Sequence, residues 1–161
     1  MVVPFPAGTQ RMSPIPPDPN FAERVRSSFA RQRAMATLGI SLARIEPGAV
    51  ELRIPYQEGL TQQHGFLHAG ITATMADSAC GYAAFTLMPA DAAVLSVEYK
   101  INLLAPAQGE EFVARARVLR PGRTLSVCSA EVVAVRDGQE TSIAVMQATI
   151  MALHGRPGLE H

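Results

Sequence analysis

The sequence predicts an α+β protein in which one long central helix is covered by an antiparallel sheet. Three observations carry that prediction. Six runs with apolar residues near period two read as strands; in Ala49 to Tyr56 (AVELRIPY), Val50, Leu52 and Ile54 alternate with Glu51 and Arg53. Pro47-Gly48, Pro121-Gly122 and Asp137-Gly138 fall between such runs, where tight turns are wanted. Between the second and third runs, Ala69 to Met88 is a stretch of small and apolar residues that reads as the long helix. Strands joined by short turns pair antiparallel, since a parallel pair needs a crossover of about a dozen residues or more. The helix must then cover one face of the sheet.

The elements follow in chain order. Residues 1–19 hold six of the twelve prolines and read as an N-terminal extension, with order expected from about residue 20. Phe21 to Met35 sets Phe21, Val25, Phe29 and Met35 near helical spacing, away from Arg24, Arg26, Arg31 and Arg33, and Asn20 can cap this short amphipathic helix. Leu38 to Gly48 and Ala49 to Tyr56 form a hairpin about Pro47-Gly48. After the long helix come four strands, Ala93–Pro106, Glu110–Arg120, Thr124–Arg136 and Glu140–Leu153. A single domain therefore spans 20–154. Residues 155–161 read as a tail whose last four, GLEH, resemble the start of an expression tag.

Composition narrows the function. A chain of 161 residues that is 48% apolar supports one domain with a real core. Fourteen Lys and Arg balance fourteen Asp and Glu, so no net field draws nucleic acid or an acidic membrane. No apolar run reaches 18 residues and the first residues lack a basic start, so neither a membrane span nor a signal peptide is indicated, and a cytoplasmic location is expected. Cys80 and Cys128 lie in apolar surroundings without CxxC or histidine spacing, which reads as buried reduced thiols.

Within the long helix Asp77 stands out. Between Glu58 and Asp91 it is the one charged side chain apart from His64 and His68. Ile71, Met75, Tyr82 and Phe85 share one side, while the residues three and four positions from Asp77 are Ala73, Thr74, Cys80 and Gly81. Interior glycine costs about 1 kcal/mol of helix stability, so Gly70 and Gly81 predict that something approaches closely, either another subunit or a ligand.

The run Gly65 to Ala84, GFLHAGITATMADSACGYAA, resembles the HGG…LAD segment of hotdog-fold acyl-CoA thioesterases of the phenylacetate-degradation (PaaI-like) type. The likeness continues through LSVEYKINLLAPAQGEEFVARARVLRPGRTLSVCSAEV and covers about residues 35–153. It implies a hotdog fold, with a helix wrapped by a curved antiparallel sheet, and self-association as dimers or tetramers. It also implies acyl-CoA as the substrate, with no metal and no cofactor beyond the coenzyme A of that substrate. Carried over by position, it makes Asp77 the catalytic carboxylate, as general base or nucleophile. His68 is the motif histidine, and the backbone N–H at Ala69 is the oxyanion donor. Ala69 stands where the family has a glycine, and Gln62 where it has an asparagine, a role Gln63 could also fill. Ser96 matches a serine that holds the water in some relatives. Phe66, Gly70, Thr74 and Tyr82 are candidate substrate contacts, and Arg123 beside the Pro121-Gly122 turn is a candidate for the coenzyme A phosphates.

Structural readings stand beside these. Asp77 could be a satisfied buried acid, His68 a loop-fixing residue, Thr74 a back-bond to its own helix, and Arg123 a solvated turn residue. His64 and His68 at i, i+4 lack a third metal ligand other than Asp77. Ser96 shares strand parity with Glu98 and Lys100, which predicts a face away from the core. Another functional reading is a non-catalytic acyl-CoA-binding sensor on the same fold; a hydratase would want a second acid beside His68.

Overall fold

Six strands and one enclosed helix account for most of residues 14–155, the part of the chain described in the computed structural model. Most of the expected N-terminal extension, and the tail from residue 156, lie outside the described residues. In chain order the elements are α1 (Phe21–Arg31), α2 (Arg33–Leu38), β1 (Ser41–Glu46), β2 (Ala49–Pro55), a single 3-10 turn at Glu58–Leu60, α3 (Ala69–Phe85), β3 (Ala93–Leu103), β4 (Glu111–Arg120), β5 (Leu125–Arg136) and β6 (Gln139–Leu153). The expected turns are present. Asp137 and Gly138, both at positive φ (50° and 72°), make the two-residue reversal between β5 and β6 that matches strand twist.

All neighbouring strands are antiparallel, in the order β1-β2-β4-β5-β6-β3. The close succession of the last four strands does not make β3 a neighbour of β4. β3 pairs with β6 at the far edge, and β4 pairs with β2. The reason is α3, which leaves β2, crosses the sheet and delivers the chain to the opposite edge. Strands β2 to β6 all contact α3. A helix about 10 Å wide cannot touch five strands spaced about 4.8 Å apart unless the sheet curls around it. Residues 104–110 then return the chain to β2, held by Leu104 N–H to the Ile143 carbonyl (2.8 Å) and Leu67 N–H to the Ala107 carbonyl (3.0 Å).

The core follows from this enclosure. Met75, Ala76, Ala79, Cys80, Ala83, Ala84 and Phe85 of α3 are fully buried against Leu52, Ile54, Phe112, Val132, Ala144 and Ile150 of the sheet. Alanines let the sheet approach the helix from several directions, so α3 is apolar nearly all round. Its C-terminal end is held from outside. Arg24 of α1 donates to the carbonyls of Phe85 (3.0 Å), Met88 (2.7 Å) and Pro89, lies 4.2 Å from the centre of the Phe85 ring, and pairs with the buried Asp18 at 3.0 Å. Ordered contacts thus begin ahead of residue 20. A cation at a helix C-terminus that also satisfies its last carbonyls is favourable on both counts. Thr86 adds a second tie by accepting from Gly48 N–H (2.7 Å) while donating to the Ala83 carbonyl (2.7 Å).

The expected single helix over 21–35 is two helices. The chain breaks at Gln32 (φ −79°, ψ 90°), and the Gln32 N–H turns back to the Phe29 carbonyl. No proline or glycine lies near, so tertiary packing overrides local preference here.

Replacing Arg24 by Met keeps the apolar stem and removes every one of these bonds. Arg24→Met is expected to cost about 3 kcal/mol of unfolding free energy, read as a lower urea midpoint at unchanged m-value. An unchanged midpoint would mean that the α3 terminus is held by other contacts.

Candidate active site

The N-terminus of α3 is built around His68. Its backbone sits in the extended region (φ −63°, ψ 136°) and its ring Nδ1 accepts from Gly70 N–H at 2.9 Å, a side-chain N-cap. Glycine at position 70 makes room for the ring, since a Cβ there would meet Nδ1 at 3.0 Å and Cε1 at 3.3 Å. Ile71 and Thr72 N–H both reach the His68 carbonyl, at 2.9 and 3.2 Å. The exposed Ala69 N–H is left as a first-turn donor with no partner among the described residues.

The loop before it is tied down by its backbone. His68 N–H reaches the Leu60 carbonyl (2.9 Å), and Gln62 N–H the Phe66 carbonyl (2.9 Å). The Gln62 side-chain oxygen accepts from His64 N–H, so what Gln62 can offer a substrate is its amide NH2. Gln62, Phe66 and Ala69 line one cavity of about 170 Å³ together with Thr72, Leu103 and Pro106. Gln63 is exposed and lies outside that lining.

Asp77 opens elsewhere. It is half-buried and lines a second cavity of about 110 Å³ with Ser96, Ser78, Gly81, Tyr82 and Gln32. The Ser96 hydroxyl donates to Asp77 Oδ1 at 2.7 Å. This reverses the expected facing of Ser96, and the cause is a β-bulge. Ser96 pairs with Ile150 and Glu98 with Thr149, so Val97 is the extra residue that switches the strand's parity. Val94 and Ser96 face the helix before the bulge, and Tyr99, Ile101 and Leu103 after it.

Eight residues separate Ala69 from Asp77, about 12 Å along the helix at 1.5 Å per residue. Within one chain, therefore, the free amide and the carboxylate belong to different cavities. Of the other candidates, Thr74 donates to its own helix at the Gly70 carbonyl (2.8 Å), and Tyr82 is buried beside Phe29 (ring centres 5.5 Å apart). Burial pushes the Tyr82 phenol up, and the Ser28 hydroxyl 3.4 Å away opposes this. Arg123 is exposed in the β4–β5 turn and lines neither cavity. Burial pushes the Cys128 thiol up to about 12, and burial with Cys128 and Asp77 nearby raises Cys80, so neither is a ready nucleophile. Among the described residues no group of three or more His, Cys, Asp or Glu is placed to hold a metal. A wider depression of about 380 Å³ beside β1 and α1 carries no carboxylate.

A helix wrapped by a curled antiparallel sheet is the architecture of the hotdog fold. The comparisons agree. The thioesterase superfamily model matches residues 64–141. A thioesterase family protein from Silicibacter pomeroyi is 61% identical, with a TM-score of 0.83 over 84% of this chain and 99% of that one. Human acyl-coenzyme A thioesterase 13 is 34% identical over 93 residues, 57% of this chain and 66% of the relative. The PaaI protein of E. coli, from the phenylacetic acid degradation operon, shares the fold at 19% identity, with a TM-score of 0.75 over 84% of this chain and 95% of that one. The protein belongs to the thioesterase superfamily and is an enzyme of the hotdog fold.

Two side chains in the Asp77 cavity escape a reading by motif. Gln32 carries no motif, and its one signal is the six-residue step from Phe29 to Met35, about 240° around a continuous helix. Ser78 lies inside the motif run but on the side of α3 next to the acid. For the serine contact the expected outcome is specific. Ser96→Ala lowers kcat for thioester hydrolysis by about tenfold with an unchanged melting temperature, since Ser96 is exposed and leaves no buried orphan. Unaltered kcat would remove Ser96 from the site.

Proposed function

We propose that the protein hydrolyses acyl-CoA thioesters, aryl or medium-chain, to the free acid and coenzyme A, at a site shared by two copies of the chain. The observation that carries this reading is the Asp77 carboxylate, held by Ser96 at 2.7 Å through Oδ1 and lining a cavity. Water held between Oδ2 and the Ser96 hydroxyl loses its proton to Asp77 as its oxygen attacks the thioester carbonyl. The negative charge developing on the carbonyl oxygen is met by the Ala69 N–H and the positive end of the α3 dipole. The NH2 of Gln62 orients the carbonyl or the water. Collapse of the tetrahedral intermediate expels the thiolate of coenzyme A, which takes up the proton. A thiolate leaves readily, so neither a metal nor an organic cofactor is needed.

Both groups must lie within about 3 Å of one carbonyl, and one chain holds them about 12 Å apart. A second copy removes the conflict. β3 is an edge strand whose Tyr99 and Leu103, 47% and 58% exposed, face the same side as the core. Pairing two β3 edges about a twofold axis continues the sheet, sets two α3 helices side by side and brings Ala69 of one copy toward Asp77 of the other. Dimers of this kind can pair further into tetramers. A cytoplasmic setting fits the two buried free cysteines. No described helix is long and apolar enough to cross a membrane.

Ala69 is the first helical residue after the N-cap, where proline is tolerated, and His68 already has the extended backbone that precedes proline. Ala69→Pro therefore deletes the N–H and keeps the helix. Free-thiol release from phenylacetyl- and medium-chain acyl-CoA is expected to fall by about 10²–10³ in Ala69→Pro and by at least about 10² in Asp77→Asn, with melting temperatures near wild type. Co-refolding the two variants in equal amounts should restore roughly a quarter of the wild-type rate, because half the dimers are mixed and each holds one intact site. No recovery on mixing would place the whole site in one chain. Binding of acyl-CoA without thiol release by the wild type would make the protein a sensor.

A further inference from the structure

Gln32 lines the Asp77 cavity from outside the sequence motif, and the proposed chemistry does not use it. Its Oε1 is fully buried and has no hydrogen-bond partner among the described residues. A buried amide oxygen without a partner is disfavoured, and such an atom beside a cavity asks for a donor that the chain itself does not supply. The backbone is irregular at this residue. Gln32 is a good helix former in the glycine- and proline-free stretch Phe29 to Leu38, yet the helix breaks at this residue.

The cavity itself has been kept open. A Cβ built on Gly81 would meet nothing within 4 Å, so no packing inside the chain requires glycine at this helical position. The wall past Asp77 is formed by the buried Ser78, Gly81 and Tyr82, and Tyr82 is closed off behind by Phe29. This inward end cannot take the phosphates of coenzyme A, whose charge has to remain hydrated. It is the end open to the acyl group.

We propose that Gln32 is a specificity-determining residue that reads the acyl group, accepting a hydrogen bond at Oε1 from a hydroxyl or N–H carried by that group. This rests on the thioesterase reading. The preferred substrates are acyl-CoA thioesters with a donor on the acyl chain or ring, and the matching unsubstituted acyl groups leave the amide oxygen orphaned.

The test uses the full chain and two matched pairs, phenylacetyl- with 4-hydroxyphenylacetyl-CoA and hexanoyl- with 6-hydroxyhexanoyl-CoA. Wild type is expected to favour the hydroxylated member of at least one pair by about tenfold or more in kcat/KM. In Gln32→Met, which keeps length and removes the amide, the ratio should fall to within about twofold of one, the loss falling on the hydroxylated member and lying in KM. Equal losses on both members would assign Gln32 to the common pantetheine arm and overturn the proposal. So would a wild-type ratio near one in both pairs, whether or not the variant folds. Dissociation constants of the corresponding hydrolysis-resistant thioether analogues give the same ratio without turnover. Absent thiol release with a preserved binding preference would then defeat the thioesterase reading alone. Gly81→Ala supplies an independent check, with a higher melting temperature and weaker binding of the bulkier acyl groups expected.

Discussion

Enclosure of α3 by the curled sheet is the constraint on which the rest depends. A helix touched by five strands can present almost no polar side chain, and α3 meets this with alanines, Met75 and Phe85 packed on all sides. Small residues permit close approach of helix and sheet, and that approach makes the sheet curl. Once the helix is enclosed, its exits are few. The first turn emerges beside the loop 104–107, and one side emerges toward the edge strand β3. Ala69 lies at the first exit and Asp77 at the second.

The same enclosure explains why the polar ties are concentrated at the ends and the edge. At the C-terminal end, carbonyls that have no partner within the helix are met by Arg24, a residue 61 to 65 positions away, whose guanidinium also covers the Phe85 ring. At the N-terminal end, His68 takes the Gly70 N–H and leaves the Ala69 N–H free. At the edge, the Ser96 hydroxyl donates to Asp77, and β3 has no further strand beside it in the chain's own sheet. Both groups sit on one rigid helix, so neither can swing toward the other. The distance they keep is the physical reason for invoking a second copy.

Much of this was legible in the sequence. The turn dipeptides, the period-two runs and the small-residue helix give the α+β class, and the motif singles out Asp77, His68, Ala69 and Gln62. Three features were not legible in the same way. Ser96 was expected to face outward with Glu98 and Lys100, because constant parity was assumed along β3; the bulge at Val97 changes it. Apolar residues on both parities, Val94 and Leu95 and then Val97, Tyr99 and Ile101, were the trace of that switch. The break at Gln32 was hidden because each residue around it favours a helix. The place of β3 at the far edge could not be read from short connections, since residues 104–110 are compatible with either neighbour.

By itself the sequence determined what is local: which segments are strands, where the chain reverses, that one helix would be buried nearly all round, and that a single carboxylate would survive within it. These follow from side-chain period, backbone freedom at glycine and proline, and the cost of burying charge. Only the tertiary structure decided the strand order, the turning of Ser96 toward Asp77 and the presence of Gln32 in the same cavity. Each of these depends on contacts between residues remote in sequence. A one-residue bulge, or a helix break that packing alone rewards, leaves almost no mark on local pattern.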